Sequence, residues 1–138
     1  MRAFKFVAVA LPLLLAVSAC DSVLDDIPTT HDPVTVTETF TGSININGAA
    51  THTFFTSATG AVTATLTSLG ENPPAEVGLS VGTFAGSSCS LIITNDKAVV
   101  TSVVGGVVTT LGGSLCVRIY DVGRLTESVP YEIRVEHK

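Results

Sequence analysis

Along Ala61–Leu69, Val62, Ala64 and Leu66 alternate with Thr63, Thr65 and Thr67. A helix would scatter those apolar residues around its axis, whereas a strand puts them all on one face. The same period returns in Glu76–Phe84 (Val77, Leu79, Val81) and in Val129–His137 (Tyr131, Ile133, Val135). It returns again in Ser114–Asp121, where Leu115, Val117 and Ile119 face oppositely to Cys116, Arg118 and Tyr120. Period two repeated this often commits the chain to half-buried strands. Thr and Val number 19 each and Gln is absent, which disfavours helices because β-branched side chains lose rotamer freedom there.

Turn residues divide the remaining runs. Val34–Ile44 is the first strand, with a break expected near Gly42. Asn47-Gly48 reads as a type I′ hairpin turn, whose two central residues need positive φ. Ala50–Ser57 precedes the Thr59-Gly60 turn, and the prolines of Glu71-Asn72-Pro73-Pro74 make a loop. Ala85–Ser88 turns the chain into Cys89–Thr94, and Asn95-Asp96-Lys97 turns it again. Ala98–Leu111 is interrupted at Gly105-Gly106, read as a turn or bulge, and Gly112-Gly113 precedes Ser114. The expected fold is all-β: a small antiparallel β-sandwich, jelly-roll-like, of about seven to nine strands. It occupies residues 36–138.

The chain ahead of this domain has a different character. Arg2 and Lys5 precede a 12-residue apolar run, Phe6–Val17, short of the roughly 20 residues a spanning helix needs. Residues 1–19 therefore read as an export signal. Val17-Ser18-Ala19-Cys20 resembles the lipobox of bacterial lipoproteins. That resemblance implies a diacylglycerol on the Cys20 thiol, cleavage before it, and acylation (palmitate, for example) of the new amino group. Two or three acyl chains anchor a protein stably without a spanning helix. Residues 20–35 carry Asp21, Asp25, Asp26, Asp32, Pro28 and Pro33 and read as a lipidated acidic tether. Asp21 resembles the inner-membrane retention signal of enteric bacteria, and the choice between the periplasmic face and the outer membrane or surface stays open.

Charge narrows the partners. The chain carries −5, and loss of Arg2 and Lys5 leaves five Lys plus Arg against twelve Asp plus Glu, or −7. Nucleic acid is excluded, since it needs a basic footprint. Anionic lipid would not attract such a chain, so membrane attachment falls to the anchor on Cys20.

Three cysteines are odd for an exported protein. With Cys20 lipidated, Cys89 and Cys116 remain as an even pair, which an oxidising compartment turns into a disulfide; two buried free thiols are the alternative. No CxxC or HxxxH spacing accompanies them, so no metal is expected.

Several segments, in order, resemble one module. They are Glu38-Thr-Phe-Thr-Gly42, His52-Thr-Phe54, Ala61–Leu69, Gly78-Leu-Ser-Val81, Cys116-Val-Arg-Ile-Tyr-Asp121 and Tyr131-Glu-Ile-Arg-Val135. Together they are similar to the bacterial pre-peptidase C-terminal domain, over about residues 36–136. The resemblance implies a small β-sandwich with a binding-module habit, usually carried behind a secreted peptidase. Some members bind calcium through acidic loops. Here Glu71, Glu76, Asp96 and Asp121 stand singly, so calcium does not carry over.

Residues able to do chemistry are sparse. His31 lies in the tether, His137 near the chain end, and His52 in register with Phe54 as a core-edge histidine. The glycines of Gly78-Leu-Ser80-Val-Gly82 flank a strand run and are not read as a nucleophile elbow. Glu132 and Glu136 are a solvated strand face. Arg118, Tyr120 and Asp121 form the one candidate ligand-binding patch. The expectation is a non-catalytic, lipid-anchored envelope protein without cofactor, binding glycan, peptide or another envelope protein. The alternative is a detached accessory domain of a secreted peptidase or other exported enzyme.

Overall fold

The computed structural model describes residues 32–138. The signal segment 1–19, Cys20, His31 and the tether up to residue 31 lie outside the described residues. Residues 32–35 have no regular structure, and eight strands follow. They are β1 (Val36–Ile44), β2 (Ala49–Thr56), β3 (Gly60–Ser68), β4 (Val77–Ala85), β5 (Ser88–Ala98), β6 (Val103–Val108), β7 (Gly113–Tyr120) and β8 (Val129–His137).

Their pairing follows one rule. β1 pairs with β8, β2 with β7, β3 with β6 and β4 with β5, all antiparallel, as in a long hairpin folded at the β4–β5 turn. Successive pairs fall in alternate sheets, β1-β8-β3-β6 and β2-β7-β4-β5, which rolls that hairpin into a jelly roll. Leu66, Ile133 and Val135 of the first sheet and Leu79, Val117 and Ile119 of the second are fully buried between the layers. Each contributes about 1.5–3 kcal/mol of apolar transfer energy. These are the residues that period two put on one face.

The connections differ from the sequence reading. Asn47-Gly48 is not a hairpin turn, because β1 and β2 lie in opposite sheets. Asn47 has φ 59, Gly48 donates to the Asn45 carbonyl at 2.8 Å, and only Asn47 needs the left-handed region that type I′ asks of both. Asn95-Asp96-Lys97 is not a turn either: it lies within β5. Val77 pairs with Ala98 and Leu79 with Asn95, so β5 spends one residue more than β4 there and forms a bulge. Its turn chemistry is used locally, the Lys97 amide donating to Asn95 Oδ1 at 3.0 Å. The sheet change comes later, at Val99–Ser102, where the Thr101 amide donates to the Leu66 carbonyl at 2.8 Å.

Gly105-Gly106 does not interrupt the chain but sits mid-strand in β6, opposite Thr63 and Val62. Gly42 likewise stays inside β1, opposite Tyr131. A second bulge in β5, where Val81 pairs with Ile93 but Gly82 with Leu91, bends that strand over β4. There Cys89 and Cys116 form a disulfide, Cα atoms 5.9 Å apart, joining β5 to β7 across the intervening β4.

Candidate functional site

β7 alternates, so Arg118 and Tyr120 share the outer face of the β2-β7-β4-β5 sheet while Val117 and Ile119 enter the core. Gly78 lies opposite Tyr120 on β4, and a Cβ there would coincide with the tyrosine ring. The ring therefore lies flat across bare backbone, with its hydroxyl donating to Asp96 Oδ1 in the β5 bulge. Burial, then the hydrogen bond and charge of Asp96, push the Tyr120 phenol up to about 12, against smaller opposing effects of Ser80 and Arg118. Tyr131, the second of the two tyrosines, is also raised, by burial.

Stability linked to Tyr120 is fully present below the ordinary phenol value near 10 and is lost as pH climbs through about 12. We therefore expect spectrophotometric titration of wild type against Tyr120→Phe to show no phenolate from Tyr120 at pH values where free tyrosine is half ionised. Phenolate absorbance and loss of β-sheet circular dichroism should rise together. A tyrosine step near the ordinary value that is present in the folded wild type and absent from Tyr120→Phe would contradict the Tyr120–Asp96 arrangement.

Asp121 follows β7, and its carboxylate is engaged in backbone capping. The Asn47 amide donates to Oδ2 at 2.8 Å, while the amides of Gly123, Arg124 and Leu125 donate to Oδ1 at 2.8, 2.8 and 3.1 Å. The Asn47 amide foremost holds this carboxyl below the usual carboxylate range. Asp121 thus ties the β1–β2 corner to the β7–β8 loop. Of the three candidate residues, Asp121 and Tyr120 are thus already occupied by the protein itself.

Arg118 is the reverse case. Among the described residues no carboxylate pairs with its guanidinium, and its Nε is shielded from solvent without an acceptor. Two clefts meet at this side chain. One of about 360 Å³ is lined by Asn47, Leu91, Tyr120 and Asp121. The other, about 490 Å³, is lined by Thr51, Thr53, Phe84, Ser88 and Cys89. A half-buried guanidinium lacking a partner is costly, and an acceptor brought by a ligand would relieve it. The surroundings are hydroxyls, an amide and aromatic rings, with Leu91, the Cys89 sulfur and the Asp121 carboxylate beside them, suited to hydrogen bonding and stacking.

Ser80 stands between the glycines of Gly78-Leu-Ser80-Val-Gly82, which does carry the elbow's letter spacing. It is fully buried in mid-strand, with Oγ 3.5 Å from the Arg118 carbonyl it donates to, and is no exposed nucleophile.

A second polar cluster escaped sequence reasoning. His137 is 3% exposed rather than a loose chain end, and its Nε2 lies 2.8 Å from Glu38 Oε1. His52, half-buried as a core-edge residue, stacks on Phe40 at 4.9 Å with its Nε2 2.7 Å from the Tyr131 hydroxyl; desolvation lowers its pKa. The Glu38–His137 pair ties β1 to β8, and the His52–Tyr131 pair ties one sheet to the other. Neither pair includes a serine or cysteine, so the geometry supports stitching of the β1/β2 edge rather than nucleophilic chemistry. Signal for it lay in the inward parity of Glu38 and His137, legible only once β1 is known to pair with β8. No protein-family model matches this chain, and no curated protein matches it.

Proposed function

We propose that the protein is a lipid-anchored, non-catalytic protein of the bacterial envelope that binds a ligand on the outer face of its β2-β7-β4-β5 sheet. One observation carries the binding face: Arg118, without a carboxylate partner among the described residues, stands where two open clefts meet. The anchor rests on the run Phe6–Val17 followed by Val17-Ser18-Ala19-Cys20. The Cys89–Cys116 disulfide agrees with an oxidising compartment. Ligand chemistry compatible with the face is an acceptor for Arg118 beside groups that hydrogen-bond to Thr51, Thr53 and Ser88; glycans and peptides both offer it.

The test has two arms. Mass spectrometry of the exported protein should find an N-terminal peptide beginning at acylated Cys20, and Cys20→Ala should release the protein from the membrane fraction. An unmodified Cys20 in mature protein would remove the anchor. For the ligand, immobilised wild-type and Arg118→Ala proteins are probed with envelope extracts and a glycan array. A species retained by wild type should bind Arg118→Ala at least about tenfold more weakly, the value of one charge-assisted hydrogen bond. Equal retention by both would discard this face. A second reading, an accessory domain of a secreted peptidase, rests on the pre-peptidase C-terminal resemblance alone; recovery of a peptidase in the same experiment would favour it.

A further inference from the structure

In the other sheet, β6 is one of the two edge strands, with one side of its backbone ladder unpaired. Natural proteins blunt such edges with Lys, Pro or inward charges. β6 has none, reading Val103-Val104-Gly105-Gly106-Val107-Val108. Val103 and Val107, two of its outward residues, are 55% and 73% exposed, while inward Val104 is buried. Ile92 of the facing edge strand β5 is 68% exposed and lines an apolar cleft together with Val107.

Charge selects the occupant. The protein carries −5, yet from Ala98 to Val117 there is no charged residue. This stretch contains β6 and both connections that flank it. It is a surface on which a second acidic copy can approach without like charges opposing it. The strand is also self-complementary. Residues directly opposite in an antiparallel pair share a face, so a two-fold axis through Gly105 sets Val103 of each copy against Val107 of the other. Outward residues stay outward, inward stay inward, and glycine meets glycine at the axis.

We propose that the protein forms a two-fold dimer by antiparallel pairing of β6 with β6 of a second copy, in the register centred on Gly105. The two β1-β8-β3-β6 sheets then become one continuous sheet, satisfying the open ladder edges and covering Val103 and Val107. The surface lies apart from Arg118 and does not depend on the binding reading.

The test uses the chain from Asp21 onward, which lacks signal and lipid yet retains all eight strands, the core and the disulfide. Sedimentation velocity over a dilution series should show a reversible dimer. The double variant Val103→Lys/Val107→Lys opposes like charges at both outward positions that flank the Gly105 axis and should raise the dissociation constant at least about tenfold. Val103→Lys/Val107→Glu instead sets each Lys against a Glu of the other copy and should restore dimerisation toward wild type. Both variants change exposed residues, and unchanged circular dichroism verifies their fold. A monomer at all concentrations overturns the proposal, and so does a dimer indifferent to Val103→Lys/Val107→Lys. A dimer weakened equally by both double variants overturns the register.

Discussion

Replacing both Cys89 and Cys116 by alanine is expected to lower the unfolding free energy by about 3–4 kcal/mol. The bridge closes a loop with a sequence separation of 27. On the chain-entropy model a loop of that length accounts for nearly all of the effect. Topology gives the loss a location. β5 is an edge strand, bulged twice, and its ladder is made to β4 alone. The disulfide is the covalent link that holds it to β7 as well. Urea titration of the oxidised wild type against Cys89→Ala/Cys116→Ala measures the loss, and amide exchange of the variant should accelerate first in Ser88–Ala98. A loss below about 1 kcal/mol, or exchange spread evenly over both sheets, would contradict the stapling role.

The same strand shows where the sequence was readable and where it was not. Period two identifies a strand face directly, so Val77, Leu79, Val117, Ile119, Ile133 and Val135 could be assigned to the core from spacing alone. Turn residues are ambiguous because one local chemistry serves three purposes. Asn47 in a left-handed conformation makes a corner between sheets as readily as a hairpin, and Asn95 closes its hydrogen bond within a bulge. In a rolled hairpin every connection except β4–β5 changes sheet, and no local signal announces that change. Long-range pairs were hidden for the same reason: Glu38 and His137 are 99 residues apart. For the candidate site, parity placed Arg118 and Tyr120 on one face. That Tyr120 and Asp121 are consumed by Asp96 and by backbone amides, leaving Arg118 without an ion pair among the described residues, depends on the bulge and the corner.

Gly82→Ala is expected to be at least as damaging as loss of the disulfide, at about 3 kcal/mol or more, or to prevent folding outright. A Cβ at this position would meet backbone, with the Ser90 carbonyl carbon at 2.7 Å and Leu91 Cα at 2.9 Å, and the Ser90 oxygen closer still. A side chain in the way could rotate; a paired strand can only be pushed off its neighbour. Gly82 is opposite Leu91 at the second bulge, on the segment that brings Cys89 over β4 to Cys116. Lifting β5 there to admit a methyl group also pulls on the bridge, so the two substitutions share one geometric cause. Their effects should not add. In the Cys89→Ala/Cys116→Ala background, where β5 is free to rise, Gly82→Ala should cost less than in the bridged protein, by about 1 kcal/mol or more. Chemical denaturation of the four proteins completes the cycle. Simple additivity would mean that the tight β4–β5 crossing and the disulfide are independent features.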